Sequence, residues 1–109
     1  MKILIPIVAL VLTTSPSFAN THKQIKKDFD FICKTQKKFL KKAEKPNADQ
    51  AALAEQKAKA IDKRIQSVEA KNAVKAIVQA DPTQKQQLFE QAAAQAGLKN
   101  WTCPELATF

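Results

Sequence analysis

A single glycine, Gly97, in 109 residues is the feature that most limits what this chain can fold into. Tyrosine is absent too, and alanine, glutamine and lysine abound. Such a composition favours helices and argues against a β-sandwich or barrel. The lone glycine also excludes a glycine-rich phosphate loop.

The helical period is visible in residues 21–45. Ile25, Phe29, Ile32, Gln36, Phe39, Leu40 and Ala43 recur at three- and four-residue steps and fill one arc. Lys23, Lys26, Lys27, Lys34, Lys37, Lys38, Lys41 and Lys45 fall on the opposite arc, with Lys42 at its edge. Pro46 stops this element, and Asn47 or Asp49 is placed to cap the next. A second helix is expected from Asp49, with Ala54, Ala58, Ile61, Ile65 and Val68 on one stripe. Val74, Ile77 and Val78 leave that stripe, so either one straight helix is buried on two faces or, the preferred reading, it breaks near Lys71-Asn72 with Asn72 capping a third helix.

Asp81-Pro82 then opens a further helix, whose buried stripe is Leu88, Phe89, Ala92, Ala93 and Ala96. Gly97 stands where a helix ends in left-handed conformation, with Leu98 as the following apolar contact. Thr102-Cys103-Pro104-Glu105 matches a capping box and predicts a terminal turn to Ala107. The expected fold is an all-α bundle of about four helices plus this short C-terminal turn. Residues 20–109 form one small domain, because about 90 residues are too few for two cores.

The start of the chain is set apart from that domain. Lys2 precedes an apolar run over residues 3–12, and Ser17-Phe18-Ala19 offers small residues at −3 and −1 of a cleavage point. This is the pattern of a secretory signal peptide over residues 1–19, cut after Ala19. As a helix the run reaches only about 15 Å, half a bilayer core, so no transmembrane anchor is expected after cleavage. The product is therefore expected in the periplasm, or secreted.

Cys33 and Cys103 are the only cysteines, an even number in an oxidising compartment. A disulfide between them closes a loop of about 70 residues, worth roughly 4 kcal/mol in the chain-entropy treatment. The domain needs such a staple, since only nineteen large apolar residues follow Ala19.

Residues 81–104 carry a resemblance. Asp81-Pro82, Leu88-Phe89, Gly97-Leu98 and Trp101-Thr102-Cys103-Pro104 resemble the C-terminal third of small exported helical proteobacterial proteins of unassigned function. That resemblance implies a disulfide-tied helical bundle and no activity. Ala76-Ile77-Val78-Gln79-Ala80 is similar to a segment of the acid-stress chaperones of the enteric periplasm, but Asp81 stands where their pattern has a cysteine.

Charge is concentrated on the first helix. Residues 23–45 hold nine lysines and three acids, net +6, whereas residues 46–109 carry only +1. A one-signed face attracts anionic partners in a salt-dependent way. An anionic envelope component or an acidic protein fits the compartment. Nucleic acid is disfavoured by that compartment and by the lack of arginine on the face. Phe31 projects from the lysine arc, as an aromatic that inserts into a partner or interface would. A second potential site lies at the new terminus. Cleavage after Ala19 leaves Asn20-Thr21-His22, an amine, two amides and an imidazole able to surround Cu(II) or Ni(II) in a plane.

Catalysis lacks its reagents. Ser67 is the only serine after Ala19, His22 is the only histidine, and no carboxylate pair is suggested. No cofactor is expected. The leading functional expectation is a non-enzymatic interaction protein using its lysine-rich first helix. The alternatives are a stress or holdase chaperone and a specific inhibitor or immunity-type partner.

Overall fold

The computed structural model describes residues 17–109, with side chains from His22 onward. The expected export signal lies outside the described residues except for positions 17–19, whose backbone is helical. Four α-helices follow one another: α1 (Ser17–Ala43), α2 (Gln50–Arg64), α3 (Val68–Ile77) and α4 (Lys85–Gln95). Short 3-10 helices cover Pro82–Gln84 and Pro104–Thr108. Among the described residues there is no strand, and no helix is long and apolar enough to cross a membrane.

The amphipathic pattern of α1 is realised in its packing. Ile25, Phe29, Ile32, Gln36 and Phe39 are buried. Gln36 is tolerated there because its amide donates to Thr108 Oγ1 (3.2 Å) and its carbonyl accepts from Lys57 Nζ (2.9 Å). Asp49, not Asn47, caps α2, its carboxylate accepting the Ala52 N–H at 3.1 Å.

The break after α2 lies at Ile65–Ser67 rather than at Lys71-Asn72, which stand inside α3. Two side chains fix it there. Ser67 is the N-cap of α3, its Oγ accepting the Ala70 N–H at 3.3 Å. Asp28, buried on α1, accepts the main-chain N–H groups of Gln66 (2.9 Å) and Ser67 (2.6 Å). A helix start leaves such donors without intrahelical partners, and a carboxylate beside them also suits the positive helix end. Val68, expected on the buried stripe of α2, consequently lies beyond the bend and is 66% exposed.

Farther on, Asp81 accepts from both the N–H and the hydroxyl of Thr83, and Pro82 opens the 3-10 turn that leads into α4. The end of α4 follows the sequence closely. Gly97 has φ +99°, its N–H bonds Ala94 O at 3.0 Å, and the Leu98 N–H reaches back to Ala93 O at 2.9 Å. The capping box at Thr102–Glu105 does not form. Cys103 is the cap residue, without a side-chain cap bond, and its N–H is taken by the Glu90 carboxylate of α4 at 3.3 Å. The terminal turn runs to Thr108 instead of Ala107.

These elements share one core, in which Phe29 and Ile32 of α1 belong to the same cluster as Ile61, Ile77, Phe89 and Leu106. Trp101 meets Phe29 edge-on, with ring centroids 5.4 Å apart, while its Nε1–H donates to Asp30 at 2.9 Å. Cys33 and Cys103 form the disulfide, with Cα atoms 6.0 Å apart across 70 residues of sequence. The protein is a disulfide-stapled all-α bundle.

Candidate functional site

The lysines of α1 form the largest concentration of one charge in the molecule. Lys23, Lys26, Lys27, Lys34, Lys37, Lys38 and Lys41 are all exposed, as is Lys45, which lies beyond α1 because the helix ends at Ala43. Lys26 pairs with Asp30 at 2.8 Å, and the other ion pair among the described residues, Lys59–Glu55, is on α2. Among the described residues, seven of these eight lysines therefore have no carboxylate in ion-pair range. Lys42 turns away from this set, half-buried with Nζ 4.8 Å above the Phe39 ring.

The acids of α1 do little to neutralise the face, because they are engaged elsewhere. Asp28 is inside, holding the start of α3. Asp30 receives Lys26 and Trp101, and although its partial burial alone would raise its pKa, these donors hold it below the ordinary carboxylate range.

Phe31 does not extend from the lysine arc as a bare aromatic. It is half-buried against the core, and the Arg64 guanidinium lies 5.3 Å from its ring centroid. Arg64 is the only arginine in the chain. It is the last residue of α2, and the bend at Ile65 leaves it against α1. There it shares an open depression of about 470 Å³ with Lys27, Lys34 and Phe31 and with the carboxylates of Asp28 and Asp30. The expectation that this face lacks arginine is thus corrected by the packing of α2. The available signal was an aromatic among lysines, which needs a cover, and a single arginine ending the next helix.

At the other candidate site, His22 is exposed and its imidazole stands over Gly97, with Nδ1 3.4 Å from where a Cβ would be. Asn20 and Thr21 belong to the backbone of α1, and their side chains lie outside the described ones. Among the described residues, the grouping of His, Cys, Asp or Glu close enough to share an ion is Cys33, Cys103 and Glu105, whose sulfurs are committed to the disulfide. No family model, curated protein or solved structure matches this chain.

Proposed function

We propose that residues 20–109 act outside the cytoplasm as a non-enzymatic interaction protein, whose α1 lysine face contacts an anionic partner or envelope surface. The observation that carries this reading is the state of the lysines. Lys34, Lys37, Lys38, Lys41 and Lys45 are exposed and without ion-pair partners among the described residues. Lys34, Lys37, Lys38 and Lys41 stand at neighbouring positions of one helix face, where their ammonium groups repel one another and an anion relieves that repulsion. Arg64 strengthens one end of the face, because a planar guanidinium presents paired donors to phosphate or carboxylate oxygens.

The test replaces Lys34, Lys37, Lys38 and Lys41 together by Gln and measures co-sedimentation with phosphatidylglycerol-containing vesicles, with phosphatidylcholine vesicles as the neutral control. The parent protein is expected to bind the anionic vesicles at low salt and to leave them as salt rises. The fourfold variant keeps its helical circular dichroism and binds at least tenfold more weakly. Equal binding by the two proteins, or salt-independent binding to both vesicle types, would overturn the reading.

A further inference from the structure

A second surface, made of other residues, has a different chemistry. α2 packs along α1, and α3 packs against α1 and α4, but α2 and α3 make little contact with each other. The bend at Ile65–Ser67 leaves an open groove of about 460 Å³ between them, within the size range of small-molecule sites. Its apolar lining consists of Ile61 and Ile65, buried at its floor, half-buried Val74, and Val78, which is 50% exposed. Among the described residues Val68 and Val78 are the exposed large apolar side chains, and Val78 stands at the rim of this groove.

The charged groups around the trough are unbalanced. Lys57, Lys71, Lys75 and Lys85 line it with Asp62 and Phe109, and Lys57 also donates to the Gln36 carbonyl at 2.9 Å. Two of the four converge on Phe109. Lys57 Nζ lies 4.5 Å from the Phe109 ring centroid, and Lys85 Nζ is 3.5 Å from the Phe109 main-chain oxygen. Lys57 is half-buried, and burial, followed by the nearby charge of Lys85, lowers its pKa. An anion placed between these two ammonium groups would compensate both.

Each half of the groove narrows the choice of ligand. A free phosphate or a polyanion would use the lysines and leave the apolar trough wet. A neutral lipid would fill the trough and make no use of the ammonium groups at its end. A second copy of this basic chain brings more positive charge to a positive rim. We propose that the groove between α2 and α3 binds a single-chain amphiphilic anion, a long-chain fatty carboxylate, with its alkyl chain along Ile61–Val78 and its head group at Lys57 and Lys85.

Calorimetry and native mass spectrometry of the disulfide-intact protein with dodecanoate, below its micellar concentration, test this directly. One dodecanoate per chain is expected, with no binding of acetate, which has the head group alone, and none of dodecyltrimethylammonium, which reverses its charge. Val78→Asp changes an exposed position, and with Lys85→Gln it leaves the main core untouched. Each is expected to weaken dodecanoate binding at least tenfold with circular dichroism unchanged. The Lys34/Lys37/Lys38/Lys41→Gln protein keeps full dodecanoate binding, which separates this site from the α1 face. Absence of one-to-one binding overturns the proposal, as does full binding by Val78→Asp and Lys85→Gln. Loss of binding in the α1 variant, or displacement of dodecanoate by an acidic amphipathic peptide of much higher affinity, would assign the ligand to another surface or the groove to a protein.

Discussion

Asp28 ties α1 to the start of α3 while being only 2% exposed. Burial by itself would push its pKa up. The main-chain N–H and hydroxyl of Ser67, the N–H of Gln66 and the Gln24 amide outweigh burial and hold it below the ordinary 3.8. A carboxylate with a depressed folded-state pKa stabilises the fold above its unfolded value, and that contribution drains away as pH falls through the lower, folded one. Stability should therefore be level around neutrality and decline below pH 3.8. Asp28→Asn keeps the shape but turns an amide toward N–H donors, and is expected to cost about 1–3 kcal/mol at pH 7. It should also flatten the acid limb of stability. Urea unfolding of both proteins at pH 7 and pH 3 checks both statements, and an unchanged acid limb in the variant would refute the assignment. Nothing near Asp28 in the sequence announces this role. Its partners lie 38 and 39 residues downstream, and the helical pattern marks it only as an acid between apolar positions.

Among the elements, what was legible is what local chemistry decides. Asp49, Asp81 and Gly97 act within a few residues of themselves, and each occupies a helix end as the sequence indicates. At Gly97 a side chain would meet only ordinary contact from His22, so the cost of adding one comes from φ +99°. Gly97→Ala is expected to destabilise by about 1–2 kcal/mol, read from the midpoint of chemical denaturation. No change would mean that the α4 terminus does not hold this conformation in solution. The change of stripe between Val68 and Val74 revealed that a break exists, but not its position. Asn72 and Ser67 are both acceptable caps, and the choice between them is made by Asp28 on another helix. Arg64 beside Phe31 was hidden for the same reason: helix crossings are long-range, and periodicity describes one helix at a time.

At the scale of the molecule, a thin core is tied by one covalent link. The loop closed by Cys33–Cys103 spans 70 residues, and removing it with a Cys33→Ser/Cys103→Ser double variant should cost about 4 kcal/mol in the chain-entropy treatment. That is a large part of what a small domain possesses. Thermal unfolding of the two proteins measures it, and a midpoint shift of only a degree or two would show that packing alone supports the bundle. The staple also has a consequence in time. Cys33 lies on the first helix and its partner 70 residues later, next to Leu106, which helps cover that helix. Because a chain is made from its N-terminus, α1 exists with Phe29 and Ile32 uncovered while almost everything that will bury them is still unsynthesised. Full burial of that stripe therefore waits on residues about 70 positions downstream, among them Leu98, Cys103 and Leu106 of the same core.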